Sequence, residues 1–67
     1  MISIYKIDKT NYEKGEEKMS VELRGLSTDE KPINIGSTIV DNGSAFIEID
    51  TGKVFLYDLE NEEWEEI

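Results

Sequence analysis

Cysteine and histidine are both absent from these 67 residues. The chain can therefore assemble no thiol nucleophile, no imidazole base, no Ser-His-Asp arrangement and no Cys/His zinc site. Carboxylates, Ser, Thr, Tyr and Lys are the only side chains left to carry chemistry. No disulfide can form either, although a chain this short buries only about 60% of the surface its unfolded state exposes. Oligomerisation and close packing are the remaining sources of stability. The lack of cysteine fits a reducing compartment. No apolar run approaches the roughly 18 residues of a membrane span, and MISIYKIDKTNYEKGEEK lacks the charged start and unbroken apolar segment of a signal peptide. The expectation is a soluble protein made in the cytoplasm.

Basic side chains are scarce in the second half. Net charge is −9; residues 1–31 carry six basic and seven acidic side chains, whereas residues 32–67 carry nine acidic ones and a single base, Lys53. Such a surface repels phosphate backbones and anionic lipid, which argues against direct contact with nucleic acid or membrane. Acidity that keeps a small protein soluble is the plain reading. An acidic half that imitates DNA to occupy a basic protein is the sharper one.

Short apolar runs alternate with turn residues along the whole chain. SIYKI (3–7) and MSVELRGL (19–26) alternate with period two and read as half-buried strands of an amino-terminal hairpin, about residues 2–26. The polar DKTNYEKGEEK between them reads as a long loop with Tyr12 as its one apolar anchor. Residues 27–37 form a connector, since Pro32 cannot donate to a sheet ladder and Ser, Thr, Asp and Gly supply turn chemistry. From residue 38, TIV, SAFIEI, KVFLYDL and WEEI recur between glycine- or asparagine-containing turns, the pattern of an antiparallel meander over 38–67. The last of these is read as a strand bearing Trp64, with a terminal helix as its rival. The expected fold is one small all-β domain of about five strands.

Two turns stand out. Asn42-Gly43 tolerates the positive φ of a two-residue type I′ hairpin, which would set Val40 opposite Ala45. Asp50-Thr51-Gly52 is the tripeptide around which aspartic proteases build their catalytic carboxylate. Those enzymes need two such carboxylates about 3 Å apart sharing a proton, and a substrate cleft besides. Here a single copy is followed by Lys53 rather than a small residue. A three-residue hairpin loop with Gly52 at positive φ accounts for the same residues. Ile47 and Ile49 would then share a face with Phe55 and Tyr57, leaving Phe46 with Val54 and Leu56 on the other; a two-residue Thr51-Gly52 loop would instead move Phe55 and Tyr57 beside Phe46. Either way both faces are apolar, and two apolar faces imply a cover on each: the amino-terminal hairpin, the chain ends or a second subunit.

Other motifs carry little. Asp58, Glu60 and Glu62 have the first spacings of a calcium loop, but Glu63 stands where its glycine belongs. Asn42-Gly43-Ser44 matches a glycosylation acceptor and is more simply a turn. No catalytic, cofactor or metal residue is expected.

The run NGSAFIEIDTGKVFLYDLENEEW, with the upstream ELRGLSTDEKP, resembles short, mostly uncharacterised proteins encoded by phages and prophages of Gram-positive bacteria. It also resembles the small β-modules of phage fibre proteins, in which a Gly and an acidic or apolar strand lead to an Asp-Thr-Gly-like turn, a Tyr-rich strand, Asp and Trp. The matching positions are Gly43, Phe46, Glu48, Asp50, Thr51, Gly52, Phe55, Tyr57, Asp58 and Trp64, and the likeness covers roughly residues 22–64. It implies a non-enzymatic virion structural or assembly module of head, tail or fibre. Such a module works in the host bacterial cytoplasm or in the particle, and its partner is itself or a larger virion protein. Phe46, Phe55, Tyr57 and Trp64 are the expected interaction surface, and Asn42, Gly43, Asp50, Thr51 and Gly52 the structural turns.

Overall fold

The computed structural model describes the backbone of residues 2–13 and 15–67, and the side chains of all of these except 8, 9 and 11–13. Among the described residues there is no helix. The strands are β1 (Ser3–Glu13), β2 (Glu16–Gly25), β3 (Asn34–Ile35), β4 (Thr38–Val40), β5 (Ala45–Glu48), β6 (Val54–Asp58) and β7 (Glu63–Glu66), and all seven belong to one curled sheet. Along one edge of β2 runs β1, antiparallel; along the other run first β4 and then β5, both parallel. β3 continues the sheet antiparallel beyond β4, and β6 and β7 do so beyond β5. The all-β expectation holds. The meander is confined to β5–β7, and the sheet is mixed rather than antiparallel.

Its organising element is β2, whose side chains alternate between the two faces. Met19, Val21 and Leu23 are buried on one, while Lys18, Ser20, Glu22 and Arg24 stay half-exposed on the other. Phe46 packs on the buried row from β5, with Ile2, Ile35, Phe55 and Trp64 around it. Gly25 closes the row because nothing larger fits: a Cβ there would lie 2.8 Å from the Phe46 ring.

Parallel partners cannot be joined by a tight turn and need a crossover of about a dozen residues. Residues 26–37 provide it between β2 and β4, with β3 formed on the way. The connector read around Pro32 is therefore a crossover.

Three expectations are corrected. Asn42-Gly43 makes no hairpin: Val40 sits beside Met19 and Ala45 beside Glu22, both on β2. Gly43 does adopt a left-handed φ of 83°, but Asn42 does not, and a type I′ turn needs both. The chain makes a short excursion between two strands that keep the same direction. At this break the Asp41 N–H still reaches Met19 O (2.8 Å), and the next inward donor, Val21 N–H, is accepted by the Ser44 hydroxyl at 3.1 Å. That hydroxyl in turn donates to Asp41 O at 2.9 Å. A side-chain oxygen thus stands in for the missing backbone carbonyl, as a buried N–H requires.

The polar stretch from residue 8 to 18 is no long loop. Both strands run through it in register to the pair Glu13 and Glu16, with Gly15 at φ 79° in a tight turn. The Lys14 backbone and the Tyr12 side chain lie outside the described residues. Two register shifts, between Ile4 and Lys6 and between Ile7 and Lys9, interrupt the simple alternation of β1, so that Ile4 lies opposite Leu23 and Ile7 opposite Val21. β1 is also not half-buried: Ile4, Tyr5 and Ile7 are exposed.

The third correction is the register of the Asp-Thr-Gly hairpin. Phe46 pairs with Phe55 and Ile47 with Val54, and the loop is Ile49–Gly52, four residues rather than three. Ile49 leaves the ladder because its N–H is taken by Gly25 O across the sheet (2.8 Å), and the loop closes through Gly52 N–H to Glu48 O (2.8 Å), with Gly52 at φ 77°. Phe55 and Tyr57 therefore share the face of Phe46.

Replacing Ser44 by Ala orphans a buried donor at the centre of the sheet. Denaturant unfolding should show a loss of about 1–3 kcal/mol, whereas a change within a few tenths would mean that the hydroxyl is not part of the ladder.

Candidate functional site

The four aromatics expected as an interaction surface are brought together, but as core. The register sets Phe46 opposite Phe55 and Tyr57 opposite Trp64. The Trp64 ring lies 5.9 Å from Phe46, nearly edge-on at 71°, and 5.0 Å from Tyr57. Such tilted contacts suit the quadrupoles of the rings. Phe46 is 0% and Tyr57 3% exposed, and burial pushes the Tyr57 hydroxyl above its ordinary 10.0, helped by the carboxylates of Glu62 and Asp58. Only the flanks of half-buried Phe55 and Trp64 reach the surface.

What closes over these rings is the crossover. Trp64 donates its indole N–H to Pro32 O at 2.9 Å. Lys31 places its ammonium 4.2 Å from the centre of the Phe55 ring and 4.8 Å from that of Phe46, where the faces attract a cation. Its counter-ion is Glu48, a carboxylate only 4% exposed, at 2.7 Å. The other Glu48 oxygen accepts the Thr51 hydroxyl at 2.7 Å. Lys31, and after it Thr51, hold the Glu48 carboxyl below its ordinary 4.5.

Asp50 belongs to the same structure. It does not serve chiefly its own turn: one oxygen accepts the Ser27 N–H at 2.9 Å and the other the Ser27 hydroxyl at 2.6 Å, 23 residues away. These bonds, the hydroxyl first, lower its pKa below 3.8. Asp29 caps the adjoining bend by accepting the Leu26 N–H at 2.8 Å, which lowers its pKa as well. The Asp-Thr-Gly loop thus ties the start of the crossover to the β5–β6 hairpin, with Asp50 gripping Ser27 and Thr51 steadying Glu48.

The acidic carboxyl-terminal hairpin is arranged differently. Asp58 accepts from Asn61 through both oxygens, at 3.3 Å from the backbone and 2.8 Å from the amide, which lowers its pKa. Asp58 in turn raises that of Glu65 beside it. Asn42 accepts the Leu59 N–H at 3.0 Å, tying the excursion between β4 and β5 to this hairpin. Among the described residues no group of three or more carboxylates is placed to hold a metal ion.

Lys31 and Ser27 were missed in the sequence, and Glu48 was named there only as a position of the phage-module likeness, not as the partner of Lys31. One signal for Glu48 was there, because in AFIE the alternation puts residues 46 and 48 on the same face, and an inward carboxylate demands a cation. Nothing local pointed to Lys31 as that cation.

The second apolar face is also present. Ala45, Ile47 and Val54 are half-exposed and Leu56 exposed on the outside of β5–β6, and none of the four belongs to the packed core. A search of protein-family models, of curated proteins and of solved structures found no match to this chain.

Glu48, Asp50 and Asp29 all have folded-state pKa values below their unfolded ones, so their contribution is complete above those ordinary values, 4.5 for Glu48 and 3.8 for the aspartates, and is lost as pH falls through the lowered ones. Glu65 acts oppositely, its raised pKa favouring the fold once it protonates. Unfolding midpoints measured from pH 7 downward should hold or rise slightly until Glu65 takes up its proton and then drop. Glu48→Gln should lower the midpoint at pH 7 and flatten the acid drop; an acid profile unchanged in that variant would refute the Lys31–Glu48 tie. Asp50→Asn should likewise lose stability at pH 7 and converge with the native chain in acid, a course that a catalytic but structurally idle Asp50 would not follow.

Proposed function

We propose that this chain acts without catalysis, by binding protein, as an accessory head, tail or fibre module in phage or prophage assembly. The observation that carries the reading is the outer face of β5–β6. The seven strands lie in a single sheet, so among the described residues no second sheet covers Ala45, Ile47, Val54 and Leu56. An apolar patch left open on so small a chain is characteristic of a surface that meets another protein. The likeness of residues 22–64 to phage modules supplies the setting. Asp50 has its two oxygens engaged with Ser27, which favours a binding role for this end of the sheet over proteolysis.

A second reading, an acidic inhibitor that presents carboxylates to a basic host protein, draws on the exposed Glu63, Glu65 and Glu66 of β7. The two differ in salt dependence: a complex made through exposed carboxylates should weaken steeply as salt is raised, while one made through the apolar face should not. Deleting the gene from its phage or prophage and inspecting the lysate by electron microscopy tests the assembly role. Missing or malformed heads, tails or fibres are expected; normal particles at normal titre would overturn the proposal.

A further inference from the structure

The excursion between β4 and β5 carries the pair Asn42-Gly43, and that pair has a reaction of its own. Asparagine is thermolabile, because the next backbone nitrogen can attack its side-chain amide, and a following glycine has no Cβ to hinder the five-membered ring that forms. Asn11, Asn34 and Asn61 are each followed by a residue with a larger side chain. Asn42 and Gly43 are both exposed, and no atom lies within 4 Å of the space a Gly43 side chain would take. A shallow depression of about 440 Å³, lined by Asn42, Tyr57, Asp58 and Glu65 among others, opens beside them to water. Yet both reacting groups are engaged. The Gly43 N–H donates to Tyr57 O at 3.0 Å, and the Asn42 side-chain oxygen accepts the Leu59 N–H at 3.0 Å. Ring closure would put the Asn42 Cγ where the Gly43 hydrogen now points. Tyr57 is itself held there, its N–H donating to Ser44 O at 2.8 Å. Beyond Leu59 the turn into β7 is fastened by the Glu62 N–H on Leu59 O at 3.3 Å, with Glu62 at a left-handed φ of 54° that residues with a side chain disfavour.

We propose that Asn42 is a deamidation site gated by this end of the β5–β6 ladder, shut while Tyr57 and Leu59 hold the two groups and open when the turn between β6 and β7 lifts away. Once released, the Gly43 nitrogen gives its proton to a solvent base and attacks the Asn42 Cγ. The new C–N bond displaces the side-chain nitrogen, which leaves as ammonia, and water then opens the cyclic imide. Opening between Cγ and nitrogen leaves aspartate at position 42. Opening at the main-chain carbonyl leaves isoaspartate, with the backbone rerouted through the side chain and one methylene longer. Neither product restores the native corner. The aspartate can still accept the Leu59 N–H, but it adds a carboxylate to a depression already lined by Asp58 and Glu65, where like charges repel. The isoaspartate carries the Gly43 N–H away from Tyr57 O. The chain thus holds a one-way change whose rate is set by local opening of this corner, and it stands or fails independently of the assembly role.

Peptide mapping by mass spectrometry of the purified chain, aged at pH 7 in buffer and in urea that unfolds it, reads the proposal directly. Asn42 is expected to convert ahead of the other three asparagines, and about tenfold or more faster in urea than in buffer. Glu62→Gly relieves the left-handed residue and should slow conversion of the folded chain about threefold or more, whereas Glu62→Val strains it further and should speed conversion. Ser27→Ala loosens the opposite end of the β5–β6 hairpin, where that hydroxyl holds Asp50, and should leave the folded rate unchanged. None of the three should alter the rate in urea. Equal rates in buffer and urea, a folded rate indifferent to both Glu62 substitutions, a Ser27→Ala chain that converts as fast as Glu62→Val, or another asparagine converting first would each overturn the gate.

Discussion

Met19, Val21 and Leu23 project from one face of β2, and the rest of the molecule is disposed to keep that row out of water. A single sheet has no second layer to cover it, so the sheet curls and covers itself. β5 lays Phe46 on the row, β6 and β7 bring Phe55 and Trp64 round, and Ile35 comes in from β3. Each fully buried apolar side chain contributes roughly 1.5–3 kcal/mol, and few residues share that work: among the described residues, Val21, Leu23, Val40 and Phe46 are the apolar side chains at 0% exposure. Little stability is held in reserve, which makes the polar contacts that fix the curl more consequential than they would be in a larger domain.

Those contacts gather where the crossover passes over the aromatic rings. Parallel pairing of β2 with β4 obliges the chain to cross from one end of the sheet to the other, and the route taken lies over Phe46, Phe55 and Trp64. Three ties hold it there: Ser27 on Asp50, Lys31 on Glu48 and Pro32 on Trp64. Lys31 is the most demanding of them, since its ammonium is drawn into an aromatic setting and needs the nearly buried Glu48 carboxylate as its counter-ion; removal of either leaves the other charge stranded. The Asp-Thr-Gly tripeptide, which in isolation resembles half an active site, supplies two of the parts that make this closure work.

Much of the fold was legible where the reason for it is local. Alternation placed β2, and short β-branched and aromatic runs placed β4, β5 and β6, with Trp64 on a strand rather than a helix. Gly43 and Gly52 take the positive φ that their turns implied. What escaped was the choice of partner. A glycine turn reports a local backbone conformation and not which strand the next run will join, so Asn42-Gly43 looked like a hairpin although β4 and β5 both join β2. The hairpin register slipped by one residue for a similar reason, since Ile49 is drawn out of the ladder by Gly25 O, 24 positions earlier. The extensions of β1 and β2 were hidden by their polarity: Glu16 and Glu17 are exposed, and strands that face water on both sides carry no apolar signature. A three-residue loop would set Phe46 on the face opposite Phe55 and Tyr57; the observed register gathers them with Trp64 on one side, where the crossover lies over them, and leaves the opposite face of β5–β6 open.

The crossover, its ties and the open outer face all depend on β2 being flanked along one edge by two successive parallel strands. Through-space proton contacts in a labelled sample test this most directly. Cross-strand contacts joining Leu23 with Phe46 and Met19 with Val40 in the parallel pattern, and none joining Val40 with Ala45 as antiparallel neighbours, are the predicted result. An antiparallel Val40–Ala45 ladder would contradict it, and with it the crossover, the ties that hold it and the open outer face.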